Sequence, residues 1–234
     1  MSKAVWIAAA LATTCAVALL ASRSMRATLY AAMRSARTLE DVCHEYGARV
    51  DAQLAPLFAK AECTYPPRRI ALLAFKAERS LELWSLDDVP RFVHAWPVLA
   101  ASGGPGPKLC EGDRQVPEGV YALASLNPNS RFHLSLEVGY PNAFDLAHAR
   151  EEARAPGGEI FIHGSDRSVG CLAIGDEAIE ELFVLATHVG IENVTIVCAP
   201  NDPRAGATLL APQTPPPWLG ELHAQLAGEL ARFR

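Results

Sequence analysis

The chain has 234 residues, half of them hydrophobic, enough for one sizeable core and a small helical appendage. A net charge of −5 excludes the basic footprint of a nucleic-acid binder. Six cysteines are too few for a disulfide scaffold of this length, although they permit one or two bridges in an oxidising compartment.

Residues 4–21 form an apolar run broken only by Thr13 and Thr14, with Lys3 ahead and Arg23 and Arg26 behind. The length suits a signal peptide or a short membrane anchor over residues 1–22. The basic residues divide between the two sides, so they set no clear orientation. Export to the cell envelope is the expectation, taken from the character of the rest of the chain.

From residue 28 to 61 apolar residues recur at three-and-four spacing, among them Leu29, Met33, Leu39, Val50, Leu54 and Phe58. This predicts a helix or helical pair with a break near Gly47, a stalk or packed extension over residues 23–66. Pro66 and Pro67 mark its boundary. The period then changes. Residues 70–75 and 80–86 read as a hairpin, and 91–100, 119–123, 132–138, 159–162 and 193–199 as further short strands. Short strands separated by turn signals predict a mainly β, mostly antiparallel domain over residues 67–212. A prolyl stop at 213–217 precedes an amphipathic C-terminal helix carrying Trp218, Leu222, Leu226 and Leu230.

Chemistry concentrates in Gly158-Glu-Ile-Phe-Ile-His163-Gly-Ser-Asp-Arg-Ser168-Val-Gly170-Cys171. A short apolar strand delivers His163, and a polar loop then presents Cys171. A helix follows, with Asp176 as its N-cap and Ile179, Leu182, Phe183 and Ala186 on one face. A thiolate is the nucleophilic form of cysteine, and an adjacent imidazole can generate it. Glycine before the cysteine lets backbone N–H groups approach an oxyanion. Two blander readings stand beside this: a buried structural cysteine, or a zinc site completed by His188 or Cys198. No paired metal-ligand spacing supports the zinc reading, and no Walker loop or dinucleotide fingerprint is present.

Two further loops carry unusual polar and aromatic content. They are Gly112-Asp-Arg-Gln-Val-Pro117-Glu-Gly119 and Asn127-Pro-Asn-Ser130-Arg-Phe-His133-Leu-Ser followed by Gly139-Tyr-Pro-Asn142-Ala-Phe-Asp145. Together with Ile162-His163-Gly164 and Ser168-Val-Gly170-Cys171, in this order, they resemble the L,D-transpeptidase (YkuD-like) catalytic domain, and within it the YafK-like branch. The resemblance covers roughly residues 70–199. It implies an L,D-transpeptidase-like β-sandwich or barrel with one internal helix after the cysteine and helical N- and C-terminal extensions.

The resemblance also implies roles. Cys171 matches the nucleophile that takes a peptidoglycan acyl group as a thioester, and His163 its general base. Ser168 and Gly170 complete the catalytic set, with the backbone N–H groups of Gly170 and Cys171 as the oxyanion hole. The chemistry suggests a thiolate–imidazolium pair. The widespread form of the motif is Ser-His-Gly-Cys with a longer spacer and an arginine soon after the cysteine. Here Val169 replaces the triplet histidine, residues 164–167 shorten the spacer, and Leu172-Ala-Ile174 follows. Contacts to stem-peptide carboxylates are therefore expected from Arg131, Arg150 and Arg167. His133, Tyr140 and Asn142 are expected to bind substrate or shape the groove, with Asp145 in its wall and His148 in a loop. The implied partners are diaminopimelate-containing stem peptides, a wall-attached envelope protein, and the membrane through the N-terminal segment. No nucleic acid, metal or organic cofactor is expected. Cys43, Cys63, Cys110 and Cys198 allow three pairings if all are bridged. Cross-linking, hydrolysis at the same Cys/His site and a non-catalytic wall-binding module all stay open.

Overall fold

The computed structural model describes residues 36–234, and the expected signal or anchor lies outside them. Among the described residues, eight strands form one mixed sheet in the order β3-β2-β1-β8-β4-β5-β6-β7. They are β1 (Ile70–Phe75), β2 (Ser80–Ser85), β3 (Arg91–Pro97), β4 (Gly119–Asn127), β5 (Ser135–Val138), β6 (Phe161–His163), β7 (Leu172–Ala173) and β8 (Val194–Ala199). Four α-helices accompany them: α1 (Leu39–Lys60), α2 (Ala143–Glu151), α3 (Asp176–Val189) and α4 (Leu219–Leu230). The mainly β expectation holds, and so do the helix after the cysteine and the flanking helices.

Strand β1 is buried throughout because it separates two apolar layers. Side chains alternate across a strand, so Ile70, Leu72 and Ala74 face one cluster and Ala71, Leu73 and Phe75 the other. The first layer is completed by α1 through Val42, Val50, Leu54 and Phe58, and by α3 through Ile179, Leu182 and Phe183. The second is covered by Leu219, Leu222, Leu226, Leu230 and Phe233 of the C-terminal segment. β1 and β8, parallel to each other, are sandwiched, which explains their unbroken hydrophobic runs.

Helix α1 starts at a Thr38/Asp41 capping box and runs without a break through Gly47 and Pro56. The expected interruption at Gly47 is absent. A glycine costs a helix about 1 kcal/mol, less than the burial of Val42, Val50, Leu54 and Phe58 returns. Helix α2 replaces the predicted loop around His148. Asn142 is its N-cap, exchanging hydrogen bonds of 3.0 Å with Asp145 in a second capping box. None of these helices is long and apolar enough to cross a membrane.

The two ends of the sheet meet. After β3, the Leu99 amide donates to the Ala173 carbonyl at 2.8 Å, and the Ala173 amide donates to the Ala100 carbonyl at 2.9 Å. This seam brings residues 99–102 against the segment that holds Cys171. The excursion from 101 to 118 is pinned by Lys76, whose ammonium donates to Gly106, Val116 and the buried Glu118 carboxylate.

Candidate active site

His163 ends β6 and is 1% exposed. Its Nδ1 donates to the Gly164 carbonyl at 2.6 Å, so the basic nitrogen of the neutral ring is Nε2. The ring of Phe132 stacks on the imidazole, with centroids 4.5 Å apart and planes 24° apart. Burial pushes the imidazole below its ordinary pKa, and the Gly164 carbonyl only partly offsets this. Gly164 leaves no room for a side chain: a Cβ there would lie 2.6 Å from Asp176 Oδ1 and 2.7 Å from the Phe132 carbonyl. Asp176 is not the helix cap, a place taken by Gly175. Its carboxylate instead accepts the Ser165 amide at 2.7 Å and holds the turn after His163.

Cys171 immediately precedes β7, which runs parallel to β6 with Ile162 opposite Leu172 and His163 opposite Ala173. Alternation along the strands puts Ala173 and His163 on one face of this ribbon and Ile162 and Leu172 on the other, with Cys171 one residue before β7. The thiol is partly buried, with Sγ 3.7 Å from the Glu159 carbonyl. Burial raises its pKa above the ordinary thiol value; the Phe161 amide and the Lys108 ammonium work against that, and Glu159 adds to it. The thiol is shifted up and the imidazole down, so burial favours the neutral form of each. Desolvation disfavours the charged form of each.

The two expected oxyanion donors are both engaged. The Cys171 amide donates to Ser168 Oγ at 3.0 Å, and that hydroxyl donates to the Cys171 carbonyl at 2.6 Å. The Gly170 amide donates to Ser102 Oγ at 2.5 Å, and Ser102 donates to the Arg114 carbonyl at 2.7 Å. Gly170 has φ +86°, which favours glycine at this turn.

The Gly112–Gly119 loop is organised by Asp113, which accepts the Leu109, Cys110 and Gln115 amides and the Lys108 ammonium, the last at 2.7 Å. Lys108 is buried, and its charge reaches the Cys171 thiol. Arg114 at φ +58°, His133 at +74°, Glu159 at +54° and Ser165 at +65° lie on the segments around the site, where strained backbone tends to collect.

Several sequence-predicted residues have other contacts. His133 Nε2 pairs with Glu180 of α3 at 2.6 Å and its ring meets Tyr46 of α1 edge-on, so it ties the two helices together. Asn142 caps α2 and donates to the Val120 carbonyl at 3.1 Å. The Tyr140 hydroxyl donates to the Pro156 carbonyl at 3.1 Å, bracing the segment that leads to Glu159. Arg131 and Arg150 are exposed, the first next to Phe132 and the second in the last turn of α2. The Arg167 side chain is 90% exposed, beside Asp166 on the loop before Ser168. The five described cysteines are all free, with Cys198 fully buried on β8. His188 lies 3.6 Å from Asp51. Phe132, Ser102, Lys108 and Asp176 are the site neighbours that sequence reasoning missed.

No family model matches the chain. Over 116 residues it is 36% identical to the protein named "Putative L,D-transpeptidase YafK" from Escherichia coli K12, a match covering 48% of this chain and 45% of that one. The chain thus spans about half the length of the curated relatives it matches. Among solved structures it is similar to the helical cell shape determining protein Pgp2 from Campylobacter jejuni. That pair has 23% identity and a TM-score of 0.47 over 65% of this chain and 55% of that one. It is also similar to Bd1075 from Bdellovibrio bacteriovorus, at 21% identity and a TM-score of 0.43 over 72% and 56%. The resemblance to YafK-like L,D-transpeptidases read from the motifs is thus met by a curated relative of that name.

Proposed function

We propose that the chain is a cysteine-dependent acyltransferase of the L,D-transpeptidase type, acting on peptidoglycan stem peptides in the cell envelope. The observation that carries this is the pairing of β6 and β7. It runs His163 alongside the strand that Cys171 leads into, and the Nδ1 contact to a carbonyl supports Nε2 as the base. The 36% identity to a relative that bears the L,D-transpeptidase name supports the same reading.

In the proposed cycle the His163 Nε2 takes the Cys171 proton as Sγ attacks the amide carbon of a diaminopimelate-containing stem peptide. The carbonyl oxygen becomes an oxyanion and displaces the Ser102 hydroxyl from the Gly170 N–H. A small cleft of about 140 Å³ borders Ser102. Collapse breaks the C–N bond, the imidazolium returns its proton to the leaving amine, and a thioester remains on Cys171. An acceptor amine or water then attacks the thioester while His163 takes its proton, and collapse breaks the C–S bond, the departing Cys171 thiolate recovering that proton from the imidazolium. An amine gives a cross-link or an attached envelope protein, and water gives hydrolysis.

The directions in which burial shifts the thiol and the imidazole suit a step in which proton transfer and attack occur together. Arg131, Arg150 and Arg167 are the proposed sources of carboxylate recognition. Purified muropeptides incubated with wild type and Cys171→Ala, and analysed by mass spectrometry, test the reading. Cross-linked or trimmed products lost in Cys171→Ala support it. Products unchanged in Cys171→Ala, or no product from either protein, overturn it and leave a wall-binding module.

A further inference from the structure

His163 is held on one edge by Gly164 and covered on one face by Phe132, which is itself 44% exposed. A large apolar ring left this open to solvent, while lying flat on the proposed general base, is a costly way to fill space. The surrounding backbone is built to keep it there. The Phe132 amide donates to Ser130 Oγ at 3.1 Å, and the Gly164 amide donates to the Leu134 carbonyl at 3.2 Å. The positive φ of the next residue turns His133 away to Glu180, so consecutive side chains point in opposite directions.

We propose that Phe132 is a positioning residue for His163, and that its outer face forms an apolar wall for the aliphatic part of the acyl donor. The proposal rests on the Cys171/His163 reading and names a residue that reading does not require. The ring excludes water from one face of the imidazole and fixes the plane in which Nε2 meets the thiol. The titratable and charged groups on the segments around the imidazole are Cys171, Asp176, Arg131, the His133/Glu180 pair, Glu159, Asp166 and Arg167, with the Lys108 charge reaching the thiol. The Asp176 carboxylate is already taken by the Ser165 amide, and both arginines are exposed. Burial is the main cause of the downward shift at His163, with the Gly164 carbonyl opposing it. An aliphatic segment of the donor laid on the free face of Phe132 completes the seal.

The test compares Phe132→Ala, Phe132→Leu and Phe132→Tyr in two readouts. One is the pH titration of the His163 ring resonance by NMR, assigned by its loss in His163→Gln. The other is steady-state turnover of a stem tetrapeptide. In Phe132→Ala the His163 midpoint is expected to move up toward ordinary imidazole, KM to rise, and kcat to fall about tenfold, a partial loss of general-base catalysis. Phe132→Tyr keeps both readouts near wild type. Should Phe132→Ala fold poorly, Phe132→Leu, which keeps apolar volume without a planar stack, carries the same expectation. An unchanged His163 midpoint with turnover within twofold of wild type overturns the proposal. Full turnover in His163→Gln is a separate result: it removes the Cys171/His163 reading itself, whatever Phe132 does to the titration.

Discussion

Ser102 Oγ accepts the amide of Gly170 at 2.5 Å, across 68 residues of sequence and just beyond the seam where the two ends of the sheet meet. The hydroxyl oxygen occupies the acceptor position at Gly170 that a substrate oxyanion would need. Ser102→Ala removes that competitor. A peptide aldehyde, which forms a tetrahedral hemithioacetal on the cysteine, should then bind about tenfold more tightly, or roughly 1.4 kcal/mol, the worth of one net hydrogen bond. Weaker binding in Ser102→Ala would mean that Ser102 shapes the loop and does not compete for it.

The protonation of the resting pair gives a pH prediction. The Cys171 thiol lies above its ordinary pKa and His163 below its own, so little thiolate exists at neutral pH. Alkylation of Cys171 by iodoacetamide should be slow at pH 6–7 and rise as pH passes above the ordinary thiol range of about 8.5. Lys108→Met withdraws a positive charge that favours the thiolate and should move the rise further up. Turnover should persist below pH 6.5 and be lost as pH falls through the depressed His163 value. Fast alkylation on a flat plateau from pH 5 to 7 would indicate a preformed ion pair instead.

Gly164 is tightly enclosed beside His163. An alanine methyl must displace the Asp176 carboxylate, which holds the turn after His163, together with the Phe132 carbonyl and Ile179. Gly164→Ala should lower stability by about 1–3 kcal/mol, the usual cost of overpacking, and move the imidazole off its Nδ1 contact. Thermal unfolding and the His163 NMR titration read the two effects. A variant with wild-type melting and wild-type turnover would show that this turn adapts freely.

Much of the fold could be read from the chain because burial imposed a period on it. The β1/β2 hairpin, β8, α3 and the C-terminal helix all show their apolar faces as runs or stripes. Helix α2 was missed despite a visible signal, the Asn142-x-x-Asp145 capping pair, because its weak amphipathicity hides it. His133 turns to Glu180 for a geometric reason. Strand β5 begins only at Ser135, and the positive φ at 133 breaks the alternation that would have aimed the ring toward the site. Cys171 and His163 were legible as residue types in a short motif. Phe132 and Ser102 were not, since a ring in a loop has no periodic mark and a serine 68 residues from its partner leaves no local trace. The engagement of both oxyanion donors by hydroxyls is equally a property of three-dimensional closure.

The central claim, that Cys171 carries the acyl group, is tested most directly by trapping the intermediate. Wild-type protein mixed with stem tetrapeptide, quenched in acid and weighed intact should show one acyl adduct, mapped by peptide digestion to Cys171 and discharged by hydroxylamine. His163→Gln should accumulate it far more slowly, and Cys171→Ala not at all. An adduct on another residue, or turnover that continues in Cys171→Ala without any adduct, would contradict the account.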